Sequence, residues 1–136
     1  MRLELHKKTE LALLAMQELC LRSIRVSGPD LADAIGTTRQ YLPQVLMPLV
    51  RAQWVASTPG PHGGYQILVD LEDVSMLDLV EAMEGPTDNA VCVLTAETCP
   101  RDQLCAMHGA WKQAKAALLN ELSSMSVADA WAATCG

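Results

Sequence analysis

Apolar side chains near the start of the chain recur at helical spacing. Ala12, Ala15, Met16, Leu19 and Cys20 fall at i, i+3, i+4, i+7 and i+8, and Leu11 and Leu14 widen that stripe. The pattern predicts a helix buried along much of its surface. Ser27 and Asp30 have the spacing of a capping box, Pro29 suits a first helical turn, and Gly36 suits a left-handed stop after Leu31, Ala32, Ala34 and Ile35. A short second helix is therefore expected, ending in Gly36-Thr37-Thr38. Thr38 then stands as the N-cap of a third helix from about Arg39, with Leu42, Leu46 and Leu49 turned inward. Short helix, tight glycine turn and second helix is the order of a helix-turn-helix.

Further along, the period changes from helical to alternating. Residues 54–57 and 65–69 read as two strands around the turn-rich stretch Pro59-Gly60-Pro61-His62-Gly63-Gly64, which together would make a wing. Ser75 and Asp78 repeat the capping spacing and open a helix through Met76, Leu79, Val80 and Met83 that stops at Gly85-Pro86. From about Asp102 a long helix carries Leu104, Trp111, Leu118 and Met125 at sevenfold spacing, flanked by Ala114 and Leu122. A seven-residue repeat sustained over such a helix favours pairing with a second copy. The expected fold is mainly α with a small β-wing, a winged helix-turn-helix plus a long C-terminal dimerisation helix. Its parts are a DNA-binding region over 1–86, a cysteine loop over 87–105, and the dimerisation helix and tail over 106–136.

Composition sets the class. A chain of 136 residues with 50% hydrophobic content can bury the core of one domain. Its N-terminus interleaves charge with Leu3 and Leu5, and no charge-free stretch reaches the roughly 18 residues of a membrane span. A cytoplasmic protein with no membrane partner is expected, and its five cysteines read as thiols or metal ligands instead of a disulfide framework. The net charge of −6 opposes nucleic-acid binding until it is divided along the chain. Residues 1–68 hold seven cations against five acids, while residues 69–136 hold three against eleven. The phosphate-facing half is thus the first, and its surplus is small enough that a homodimer would be needed to double it. No hydrolase-like triad, phosphate loop or carboxylate pair points to an enzyme.

Two sets of residues carry candidate chemistry. In the third helix, Thr38, Arg39, Gln40, Tyr41 and Gln44 are the positions that would meet a major groove, Arg39 suiting guanine and the glutamines adenine. Tyr41 packing inward and Arg39 gripping phosphate are the plainer readings. Ser57, Thr58 and His62 of the wing would approach phosphate or the minor groove. The second set is Cys92, Cys99 and Cys105, a C-x6-C-x5-C array. Soft thiolates hold iron-sulfur clusters or zinc, and spacing alone leaves iron, zinc and ordinary buried thiols open. Cys20 reads as core and Cys135 as a terminal thiol without a role.

At these residues the chain resembles the bacterial iron-sulfur winged-helix transcription regulators of the IscR and NsrR type. The matching stretches are MRL and TELAL at the start, TTRQYLPQVLMPLV in the third helix, GPHGGYQI in the wing, VSMLDLVEAMEGP after it, and the cysteine array. The resemblance covers residues 1 to about 130. It implies a homodimeric regulator, a repressor, binding a palindromic double-stranded DNA operator. It further implies that Cys92, Cys99 and Cys105 ligate a 2Fe-2S or 4Fe-4S cluster sensing redox state, nitric oxide or iron. The fourth ligand would be Glu10, which holds the acidic position of the first-helix match, or His108, just after the third cysteine. Two alternatives stay open: a cluster-free or zinc-bound regulator of the same fold that senses a small molecule or a partner protein, and a redox or electron-transfer component. The chain departs from the family pattern at Pro59, where an arginine is usual, at Gln53, where a glycine is usual, and at Pro43 and Pro48. Interior prolines predict a bent or interrupted third helix.

Overall fold

Helix α1 spans Lys7–Arg22 and buries Leu11, Ala12, Ala15, Met16 and Leu19 along the face that the apolar stripe defines. Cys20 packs at the edge of the same core. Ser23 adopts a left-handed φ of 54° and donates its N–H to the Leu19 carbonyl, which ends the helix. The computed structural model describes residues 4–87, 92, 94, 97 and 106–130.

Helix α2, Gly28–Ile35, starts where the Ser27 hydroxyl accepts the Asp30 N–H at 3.3 Å and stops at Gly36, whose φ of 79° costs a glycine little. Helix α3, Leu42–Arg51, begins three residues later than its N-cap threonine suggested. Pro43 is the reason. Leu42 N–H reaches the Thr38 carbonyl at 3.1 Å, but Pro43 has no N–H to offer the Arg39 carbonyl, so Arg39, Gln40 and Tyr41 form a turn. At Pro48 no interruption occurs: α3 continues through it to Arg51. Its end is a Schellman motif, with Trp54 N–H on the Leu49 carbonyl and Gln53 N–H on the Val50 carbonyl, both at 3.0 Å, and Gln53 at a φ of 64°.

Strands β1, Val55–Thr58, and β2, Gly64–Ile67, pair antiparallel with Val55 opposite Ile67 and Thr58 opposite Gly64. The strands thus stop short of Trp54, Leu68 and Val69, which the alternation includes, although the Leu68 N–H still reaches the Trp54 carbonyl at 2.8 Å. A third chain segment, unsuspected from its sequence, joins the wing: Val26 and Tyr65 exchange both backbone hydrogen bonds at 2.8 Å. Gly64 permits this close approach, because a Cβ there would stand 2.2 Å from the Val26 carbonyl oxygen.

A 3-10 turn at Leu71–Asp73 leads into helix α4, Met76–Glu84, opened by a complete capping box in which Ser75 and Asp78 satisfy each other's backbone N–H. Helix α5 spans Ala106–Ser124. The sevenfold line does not extend along it to Met125. At Met125-Ser126 the chain leaves the helix, Met125 carbonyl accepts Met76 N–H at 2.7 Å, and Val127 N–H reaches the Val74 carbonyl at 2.8 Å. Ser126 and Asp129 form a second reciprocal cap there, opening a helical turn at residues 127–130. Leu104, the first member of that line, lies outside the described residues.

The core lies where α1 crosses α2, α3, α4 and β2, with Met16, Leu19, Leu31, Leu46, Leu49 and Leu79 fully buried in it. Val127 returns the end of the chain to the same core. Helix α5 itself has no buried residue among its 19, and its main packing partner among the described elements is α4.

Candidate nucleic-acid interface and cysteine segment

The helix-turn-helix presents a small number of side chains outward. Thr38, Arg39 and Gln40 are exposed in the turn before α3, and Gln44 is exposed on its first turn. Thr38 Oγ1 accepts the Tyr41 N–H at 3.1 Å, so the threonine caps the turn that carries Arg39 and Gln40. Tyr41 packs partly against the core, as the plainer reading had it. The inward leucines 42, 46 and 49 leave Pro43, Gln44, Met47 and Arg51 as the solvent side of α3. Met47 escaped notice in the sequence because a methionine in a helix usually reads as core; its place opposite the leucine stripe was the available signal.

The wing extends beside this helix. Ser57 and His62 are exposed and Thr58 is half-buried at the end of β1. Gly63 lies so close to the turn backbone that a Cβ would stand 2.0 Å from the Thr58 carbonyl oxygen, which fixes the hairpin tightly. Tyr65 couples the wing to the helix-turn-helix. Its backbone pairs with Val26, and both its ring and the Leu42 side chain approach Gly28 at the start of α2. Burial pushes the Tyr65 hydroxyl above its usual pKa.

The cysteine segment leaves α4 at a point anchored to α1. Glu84 Oε2 accepts the Thr9 hydroxyl at 2.5 Å and the His6 N–H at 3.2 Å, while Oε1 lies 3.7 Å from the His6 ring. Glu81 Oε2 accepts the Thr87 N–H at 3.0 Å, tying the chain just past Pro86 to the last turn of α4. The first turn of α1 is thereby held beside the last turn of α4, which the cysteine-bearing stretch follows in sequence.

Glu10 sits on that same turn, exposed, with Lys7 Nζ 2.9 Å from its Oε2. Cys92 is half-buried, and its N–H donates to the Glu97 carbonyl at 2.6 Å. His108 is half-buried in the first turn of α5. Cys99, Cys105 and Cys135 lie outside the described residues, as does the expected helix start at Asp102. Among the described residues no three His, Cys, Asp or Glu side chains converge, and no helix is long and apolar enough to cross a membrane.

Comparison with known proteins agrees with this architecture. The chain is 33% identical over 104 residues to Protein rrf2 of Nitratidesulfovibrio vulgaris, covering 76% of this chain and 69% of that one. It superposes on T. potens IscR with a TM-score of 0.73 at 22% identity, covering 97% and 88% of the two chains. The global cysteine regulator CymR of B. subtilis superposes with a TM-score of 0.71 at 26% identity, covering 94% and 95%. These relatives are regulators and not enzymes. The family of iron-dependent transcriptional regulators called Rrf2 matches residues 5–133, and the chain belongs to that family as a DNA-binding transcriptional regulator.

Proposed function

We propose that this regulator is a homodimeric repressor whose grip on a palindromic operator is set by an iron-sulfur cluster. Cys92, Cys99 and Cys105 would hold the cluster, with Glu10 or His108 as fourth ligand. The donor set fits: three thiolates with a carboxylate or imidazole match the ligand preferences of iron in such clusters. When bound, the cluster supplies a centre that reacts with oxidants and nitric oxide. The chain supplies the rest. The observation that carries the reading is the tie from Glu84 to Thr9 and His6, which holds the Glu10 turn at the root of the cysteine loop. A ligand on that turn links loop to α1, and α1 packs on both helices of the helix-turn-helix.

Dimerisation is supported by α5. A helix of 19 residues that buries none of them, with Met107 and Leu118 in solvent, offers a face to a second copy. Two recognition helices then meet half-sites about one turn of DNA apart, and their separation decides affinity.

The test is an oxygen-free preparation assayed for iron, sulfide and visible absorption, with gel shifts on the upstream DNA before and after nitric oxide or oxidant. Coloured protein whose binding changes on treatment supports the reading. Separate Glu10→Ala and His108→Ala variants identify the fourth ligand by the one that alters the spectrum. A second reading rests on the likeness to CymR: a cluster-free regulator responding to a small molecule or partner protein. Colourless, iron-free protein that binds its operator unchanged favours that one.

A further inference from the structure

The solvent side of α3 has an unusual make-up for a helix that meets DNA. Arg39 precedes it and Arg51 ends it, and among the described residues neither makes an ion pair. Between them no acid or cation occurs from Gln40 to Val50. The centre of the exposed side is instead Pro43, Gln44 and Met47, with Met47 50% exposed. A single apolar side chain in solvent is ordinary. This one lies a single turn beyond exposed Pro43, on the side of the helix opposite its leucines and between two exposed cations.

We propose that Pro43 and Met47 form an apolar reading patch that selects operator base pairs by the C5-methyl groups of thymine. This rests on α3 being the helix that enters the major groove. The Pro43 side chain has neither donor nor acceptor and the Met47 thioether is only a weak acceptor, so neither reads guanine, cytosine or adenine by the strong edge pairing that Arg, Glu, Asn or Gln provides. The thymine methyl is the one apolar feature the major groove displays. Four residues along a helix is about 6 Å, and stacked bases rise about 3.4 Å, so the two contacts fall roughly two base steps apart. Gln44, between them, is left to read adenine. The patch thereby predicts an A·T-rich half-site core, with the arginines outside it.

The full-length chain selects its own sites from a duplex library with a randomised core. Each enriched thymine is then replaced by deoxyuridine, which removes the methyl and keeps every hydrogen-bonding edge. Wild type is expected to lose about fourfold in affinity per half-site at one or two thymines, the effect of one buried methyl group. Met47→Ser should bind the thymine duplex correspondingly more weakly and be indifferent to deoxyuridine at one of them. Met47→Leu should keep the sensitivity. Met47 is solvent-exposed, and circular dichroism of the variants checks that the fold is kept. Wild-type binding unaffected by deoxyuridine, or a Met47→Ser variant as sensitive as wild type, overturns the proposal while leaving operator binding intact. A library with no enriched sequence overturns the DNA-reading role of α3 and the patch together.

Discussion

Thr9 Oγ1 donates to Glu84 Oε2 at 2.5 Å, across 75 residues of chain, and joins the first turn of α1 to the last turn of α4. The glutamate is at the wrong end of its own helix, where the carbonyl ends already concentrate negative charge, but at the right end of its neighbour's. His6 caps α1 without a side-chain bond, and Glu84 accepts the His6 N–H, the part an N3 glutamate plays in a capping box. Thr9 is 1% exposed and the Glu84 side chain 17%, so the bond has little water to replace it. Thr9→Val keeps the shape and removes the donor. It should lower stability in urea unfolding by about 1–3 kcal/mol, the cost of an under-satisfied, largely buried carboxylate. Thr9→Ser, which keeps the hydroxyl, should recover most of that loss.

Gln53 occupies a left-handed position, φ 64°, where the Schellman motif at the end of α3 has its turn residue. A residue with a Cβ is about 1 kcal/mol or more less comfortable there than glycine. Its side chain is exposed and, among the described residues, makes no hydrogen bond or ion pair to lose. Gln53→Gly should therefore stabilise the protein by about 1 kcal/mol in denaturant unfolding, despite the greater freedom glycine confers on the unfolded chain. A destabilised variant would mean that Gln53 holds something other than the turn.

What could be read from the sequence was what local chemistry dictates. Ser27 with Asp30, Ser75 with Asp78, and Gly36 act within four residues of themselves, so both ends of α2 and the start of α4 follow from local sequence alone. The start of α3 was misplaced by three residues because Thr38 announces a cap while Pro43 withholds the next hydrogen bond, and the pattern weighs the first without the second. Val26 gave no signal of joining the wing, since a one-residue bridge has no alternation to show. Met125 continued a sevenfold line that Ser126 and Asp129 interrupt with a cap of their own. Glu84 was invisible for a different reason: its partners are 75 and 78 residues away, and nothing near it in the chain calls for them. Of the candidate ligands, Glu10 and His108 were named from resemblance, and neither spacing nor periodicity would have singled them out.

Tyr65 provides a pH signature for the junction between wing and helix-turn-helix. Burial raises its pKa above the usual 10.0. The folded chain therefore keeps this phenolic proton at a pH where the unfolded chain has lost it. Its contribution to stability is fully present below about 10 and is lost as pH rises through the higher folded value. The chain has two tyrosines. Ultraviolet titration of the folded protein should show an ionisation later than an ordinary tyrosine's, and Tyr65→Phe should abolish it. A late component that survives in Tyr65→Phe would assign the buried hydroxyl elsewhere.

Leu118 and Leu122 lie one turn apart on α5, and they separate self-association from folding. Leu122 packs against the chain's own core, while Leu118 is 50% exposed. In a dimer built on α5, Leu118 passes from water into an apolar seam and Leu122 changes little. Leu118→Glu should then leave the circular dichroism spectrum unchanged and weaken the dimer on the order of a hundredfold, as a charge forced into an apolar contact implies. Leu122→Glu should instead lower thermal stability in either oligomeric state. Sedimentation velocity over a concentration series distinguishes the two, and operator affinity should fall with the dimer in Leu118→Glu because each half-site holds only a few cationic contacts. A Leu118→Glu chain that sediments like the wild type would place the subunit contact somewhere other than this face of α5.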